Sequence, residues 1–139
     1  MITKFKIFEN ISKSKLNDFI YGIKEYVTEI TFDDFGGDDV SYDGCPYDKE
    51  IAILHQREYV DEIYEYFLEE YDDDYNFIEK YNISLEDFRK IYDDLIIKAK
   101  EKILKLVLKN PSLYSKYPVP DYKGLEIPEW IKTQNKYNL

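Results

Sequence analysis

The sequence predicts a mostly α-helical domain with a small β element, gathered around one long central helix at 84–109. Three observations carry this. Residues 84–109 hold apolar side chains at spacings of three and four along the whole stretch, the period of one helix face. Two other stretches, 14–30 and 57–71, repeat that spacing over shorter lengths. A 139-residue chain that is 44% hydrophobic has enough apolar surface for one packed core, so a single domain over 1–139 is expected.

In chain order, Lys4 to Glu9 nearly alternates between polar and apolar residues and reads as a short strand. Its partner would come from Thr28–Phe32, Val40–Tyr42 or Ile51–Leu54, among which the pattern does not choose. Ser14 is placed to cap a first helix with Leu16, Phe19, Ile20, Ile23, Val27 and Ile30 on one face. Gly22 weakens that helix by roughly 1 kcal/mol relative to Ala. Its β-branched end, Val27 to Thr31, suits strand as well as helix. Asp33 to Asp48 reads as a loop, with turn signals at Gly36-Gly37 and Asp43-Gly44. A second helix within 49–71 would bury Val60, Ile63, Tyr64, Phe67, Leu68 and Tyr71, and a short third one would run from Asp74 to Tyr81.

The long helix has the clearest local signals. Ser84 and Asp87 form a capping-box pair, and Asn110-Pro111 ends the helix because a residue before proline is pushed out of helical geometry. Leu85, Phe88, Tyr92, Leu95, Ile96, Ala99, Ile103, Leu106 and Val107 share one face. Ile97, Leu104 and Leu108 lie off it, so the C-terminal half is expected to be covered on several sides. Glu86–Lys90, Asp94–Lys98 and Glu101–Lys105 are spaced as i,i+4 pairs with the acid first. Beyond it, the prolines of Tyr117 to Asp121 forbid helix or central strand. An extended Pro-containing tail, 117–139, is therefore expected to pack on the outside, ending in a helix from Glu129 to about Lys136 that Trp130 and Ile131 anchor.

Charge is distributed unevenly. The formal net charge is −10, yet residues 1–28 sum to +2 and residues 75–139 to +3. Residues 29–74 hold seventeen acids against Lys49 and Arg57. Such a surface repels nucleic acid and anionic membrane and attracts basic proteins or cations. One cysteine, no run of about 18 apolar residues and no signal-peptide pattern lead us to expect a cytoplasmic setting, the host's if the chain is viral. Fifteen tyrosines supply side chains with an apolar body and a polar tip, suited to core edges and binding surfaces alike.

The residues suggest four chemistries. Asp39-Val40-Ser41-Tyr42-Asp43-Gly44-Cys45-Pro46-Tyr47-Asp48-Lys49-Glu50 places oxygen side chains at positions one, three and five, Gly at six and Glu at twelve. Over these twelve residues it resembles the calcium loop of EF-hand proteins. That resemblance implies calcium held by Asp39, Ser41, Asp43 and Glu50. It departs from the family at Pro46, where an aliphatic residue is usual. A metal-dependent phosphoryl-transfer enzyme would draw on Asp33, Asp34, Asp38 and Asp39. His55 is the one histidine and has no triad partners in sequence, and the acids around Cys45 argue against a reactive thiolate.

The fourth reading is an acidic, non-enzymatic protein-binding module that needs no cofactor. Asp61, Glu62, Glu65, Glu69, Asp72 and Asp73 would supply charge, and Tyr66 contact area, to a basic partner such as a nucleic-acid-binding enzyme. In size and charge such a chain resembles the small acidic inhibitors that some bacteriophages direct against host nucleases, which implies nucleic-acid mimicry. Carboxylates that only keep a helical domain soluble are the plainer alternative.

Overall fold

The computed structural model describes residues 11–34, 41–70 and 77–137. Among them run seven α-helices: α1 (Lys13–Asp34), α2 (Asp48–His55), α3 (Val60–Glu65), α4 (Phe77–Lys80), α5 (Leu85–Lys109), α6 (Ser112–Lys116) and α7 (Glu129–Tyr137). A 3₁₀ turn at Arg57–Tyr59 joins α2 to α3, and a π-helical turn at Tyr66–Glu70 prolongs α3.

No strand occurs among the described residues. The expected strand Lys4–Glu9 lies outside them. Of its proposed partners, Thr28–Phe32 is the end of α1 and Ile51–Leu54 is the middle of α2, so both are corrected to helix. In α1 the β-branched residues are accommodated by side-chain bonds. Thr28 Oγ1 donates to the Lys24 carbonyl at 2.6 Å, and buried Thr31 accepts from Gln56 Nε2 at 2.9 Å. The capping residue of α1 is Ser12 rather than Ser14, since the Lys15 N–H donates to Ser12 Oγ at 3.2 Å.

The second helix expected at 57–71 is found as the 3₁₀ turn, α3 and the π turn, and a separate helix, α2, precedes it within 49–71. Gln56, at the end of α2, turns inward to Thr31, and a 3₁₀ turn redirects the chain before α3 begins. α2 lies between α1 and α5, packing on both. Its consecutive residues Glu50, Ile51, Ala52, Ile53 and Leu54 are all buried, so this helix is covered all round. Full burial of Ile51, Ile53 and Leu54 contributes roughly 1.5–3 kcal/mol each in gross transfer free energy.

α5 follows the sequence reading closely at its ends. The Asp87 N–H donates to Ser84 Oγ at 3.1 Å and the Ser84 N–H returns to Asp87 Oδ2 at 3.3 Å, completing the capping box. Just before it, Asn82 takes φ +53°. The Ile83 N–H then reaches the Ile78 carbonyl at 2.9 Å, the left-handed stop that closes α4. On the buried face Phe88, Tyr92, Leu95, Ala99, Ile103 and Val107 are joined by Ile91. Of the off-face residues, Leu104 packs half-buried against the core, whereas the expected covering is not found for Ile97, 52% exposed, and Leu108, 45% exposed. An aromatic cluster joins the helices at one end, with Phe19 of α1 stacked on Phe77 at 4.3 Å and edge-on to Phe67 and Phe88.

The C-terminal segment is not an extended outer wrap. α6 forms directly after Pro111, and Tyr117, Val119, Leu125, Ile127 and Ile131 belong to the same hydrophobic core as α2 and α5. Prolines exclude ladder and helix geometry but leave side chains free to turn inward. Tyrosine hydroxyls then bind this segment to the turn before α2. Tyr47 Oη donates to the Tyr117 carbonyl at 2.6 Å and lies 3.0 Å from that of Leu113. Tyr42 Oη donates to the Pro118 carbonyl at 2.6 Å, and Tyr117 Oη to that of Asp43 at 3.0 Å. Gly44, at φ +81°, allows the tight turn in which the Cys45 N–H meets the Tyr42 carbonyl. Within α7, Ile131 is the anchor, whereas Trp130 is 55% exposed, correcting its expected role.

Replacing Tyr47 by Phe keeps the ring and removes the hydroxyl that serves buried carbonyls. The expected loss is about 1–3 kcal/mol in urea denaturation with the helical spectrum retained, and an unchanged midpoint would contradict the clasp.

Candidate functional site

α3 places its acids by helical spacing. Glu58, Glu62, Glu65 and Glu69 follow one another at four, three and four residues, and all are exposed. Beside them, Tyr66 stacks on Tyr26 of α1 with ring centroids 4.0 Å apart and planes 10° from parallel. Phe67 meets both rings edge-on, at 5.6 Å from Tyr26 and 5.2 Å from Tyr66, and fixes the pair from below. Tyr66 is therefore half-buried and shared with α1, not an outward-pointing side chain. One turn along α1 from Tyr26 stands exposed Glu29. The stack thus joins α1 to the π-helical turn that prolongs α3, with Glu29 one turn from Tyr26 and Glu62 and Glu69 one turn to either side of Tyr66.

The structure sorts the predicted charge donors. Glu62, Glu65 and Glu69 stand exposed and, with Glu29 and Glu58, carry no ion pair among the described residues. Asp61 is different. Arg89 of α5 holds it through two bonds, Nε at 3.0 Å and Nη2 at 2.8 Å. Bonding to the guanidinium holds the Asp61 carboxyl below its ordinary value and raises Arg89 in return. Asp61 therefore ties α3 to α5 and gives little charge to a partner. Asp72 and Asp73 lie outside the described residues. Glu25 is likewise engaged, by Lys49 at 3.1 Å.

The residues proposed for calcium do not converge in the part described. Ser41 Oγ accepts the Asp43 N–H at 3.2 Å, and Asp39 lies outside the described residues. Glu50 is buried in α2, with Oε2 on Lys102 of α5 at 3.2 Å, a pair it would have to surrender to close a calcium loop. No group of three or more His, Cys, Asp or Glu side chains among the described residues is arranged to hold a metal. Asp33 and Asp34 end α1, and Asp38 is outside the described residues. His55 is exposed at the end of α2. Cys45 is buried, and burial first, then the fields of Asp48 and Glu50, pushes its thiol up to about 11. The direction agrees with the sequence reading, but burial is the larger cause.

The sequence pattern missed Glu29, Glu58 and Tyr26 as members of this face. Glu58 fell within the acidic stretch but outside the chosen residues. The pairing of Tyr26 with Tyr66 depends on α1 meeting the π-helical turn after α3, for which no local signal exists. No family model, curated protein or solved structure matches the chain. Among the described residues no helix is long and apolar enough to cross a membrane.

Two titrations follow. Because its folded pKa is depressed, Asp61 contributes stability that is complete above the ordinary 3.8 and lost as pH falls through the lower folded value. Carboxyl NMR should place Asp61 below 3.8, and Arg89→Met should return it toward that value; a titration indifferent to Arg89 would contradict the pair. For Cys45 the sign is opposite. The folded chain holds the thiol proton more tightly, so that stability is complete below 9.0 and is lost as pH rises toward 11. Cys45→Ala should flatten the fall in denaturation midpoint over this interval, and the same slope in both proteins would exclude Cys45 as its source.

Proposed function

We propose that the α1–α3 face is a docking surface for a basic protein, and that the chain acts by binding rather than by catalysis. One observation carries this reading: Glu29, Glu58, Glu62, Glu65 and Glu69 stand exposed and unpaired among the described residues beside a pre-formed tyrosine stack, while nearby Asp61 and Glu25 are already neutralised. An interface needs both parts. The carboxylates steer a basic partner, and the ordered aromatic pair offers contact area at little cost in lost side-chain freedom.

The spacing bears on nucleic-acid mimicry. From Glu58 to Glu69 the α3 row spans about 16 Å, at about 1.5 Å of rise per residue, or one carboxylate every 5–6 Å. A nucleic-acid strand carries one phosphate per about 3.4 Å of duplex. The single row is therefore sparser than a strand, and Glu29 on α1 restores part of the density. This favours a groove that accepts a loose array of negative charge, as in a nucleic-acid-binding enzyme, over one that reads exact phosphate positions.

The test is capture from lysate at low salt by three proteins: the parent chain, a variant with Glu58, Glu62, Glu65 and Glu69 changed to Gln, and a control with Asp121, Glu126 and Glu129 neutralised. A basic partner should be held by the parent and control, released as ionic strength approaches 1 M, where the screening length falls to about 3 Å, and lost by the α3 variant. Equal capture by all three proteins would refute the face.

A further inference from the structure

A face of opposite sign runs along α5. Lys98, Lys102, Lys105 and Lys109 follow one another at four, three and four residues, so they share one edge of the helix, and all four are exposed. Glu58, Glu62, Glu65 and Glu69 have the same spacing with the charge reversed. Four, three, four reads alike from either end, so the rows match residue for residue in parallel or antiparallel order. Each spans about 16 Å, at about 1.5 Å of rise per residue. Large apolar side chains border both: Ile97 and Leu108 adjoin the lysines and Tyr59 adjoins Glu58, and all three are roughly half exposed. They supply the contact area without which ion pairs in water hold little.

Within one chain the two rows stay apart. Asp61 fixes α3 to Arg89 at 2.8 Å, and Lys98 lies about 14 Å further along α5 at about 1.5 Å per residue. Among the described residues no ion pair joins the rows, and Lys105 and Lys109 have none at all. Lys98 and Lys102 are engaged by Asp94 at 2.9 Å and Glu50 at 3.2 Å, yet their side chains remain 70% and 51% exposed.

We propose that the lysine edge of α5 docks onto the α3 acidic row of a second copy of this chain. The inference rests on reading α3 as a docking face, and it names one basic surface that fits. Charge complementarity carries it: two exposed helices bear opposite charges at one spacing, and the fold keeps them apart inside one chain. The net charge of −10 opposes association. That repulsion acts between whole molecules, whereas the rows meet at ion-pair distance. At about 0.1 M salt, with a screening length of about 10 Å, the rows therefore retain more of their interaction than the molecules do of their repulsion. Because the faces lie on different helices, the contact is head-to-tail. A copy bound through its acids still presents its lysines, and assembly continues past the dimer.

Sedimentation equilibrium of the full chain tests this. At about 0.1 M salt the weight-average mass should rise with concentration past that of a dimer, and at about 1 M, where the screening length is about 3 Å, it should fall back toward the monomer. The variant with Glu58, Glu62, Glu65 and Glu69 changed to Gln, and a second with Lys105 and Lys109 changed to Gln, should each associate severalfold more weakly, with helical spectra unchanged. Mixed together, they should form a dimer, because the second variant's intact acids meet the first variant's intact lysines, and growth should stop there. A mixture no heavier than its two components would overturn the pairing, as would variants that self-associate like the parent. A parent chain that stays monomeric up to about 1 mM would remove the second copy as occupant, while the α3 face itself would still stand or fall by capture from lysate.

Discussion

The enclosure of residues 50–54 of α2 is the constraint on which the rest of this structure depends. An eight-residue helix is too short to be stable by itself in water, so its existence rests on what covers it. α1 and α5 pack on it, and tyrosine hydroxyls from neighbouring elements satisfy the backbone around it. Tyr92 of α5 donates to the Ile53 carbonyl at 2.7 Å, and Tyr47, immediately before α2, holds the Tyr117 carbonyl at 2.6 Å. These bonds explain much of the tyrosine richness: several rings lie in the core and their hydroxyls reach backbone carbonyls of neighbouring segments. Burial pushes the Tyr47 and Tyr92 hydroxyls well above the ordinary phenol range, which keeps them protonated and able to donate.

The same arrangement sorts the charge. Because the middle of α2 is covered all round, its one buried acid, Glu50, is met by a cation from the neighbouring helix, the half-exposed Lys102 of α5. The break at Gln56 then turns the chain outward, so that the acids from Glu58 onward ride on the exposed side of α3. Arg89 and Lys49 each neutralise one carboxylate at the edges of this region, where α3 meets α5 and where α2 meets α1. Acids near helix junctions are thereby turned to joining helices, while those along the α3 face are left for solvent or a partner. Among the described residues of the 29–74 stretch, Glu50 and Asp61 are already paired while the exposed acids of α3 are not, a division that composition alone does not show.

Legibility in the sequence followed the range of the interaction responsible. α5 was readable because its cap, its period and its terminating Asn110-Pro111 are all local. α2 was not, because Ile51-Ala52-Ile53-Leu54 is a short continuous apolar run, which suits a buried strand as well as a buried helix. The break after α2 comes from a bond to Thr31, 25 residues away, and no nearby glycine or proline announces it. Trp130 and Ile131 are neighbours in sequence that point to different environments, and the larger ring suggested the wrong anchor. In the candidate face, exposed Glu62, Glu65 and Glu69 were legible from helical spacing. The loss of Asp61 to Arg89, 28 residues on, and the pairing of Tyr66 with Tyr26 were not.

Native-state hydrogen exchange tests the central claim most directly, because it reports which helix opens last. If α2 is the enclosed hub, the amides of residues 51–54 exchange only through global unfolding, with an opening free energy equal to that from denaturation and no lower than that of the Leu95–Ile103 segment of α5. Exchange of residues 51–54 through a local opening, while that α5 segment remains protected, would contradict the account and return the organising role to α5.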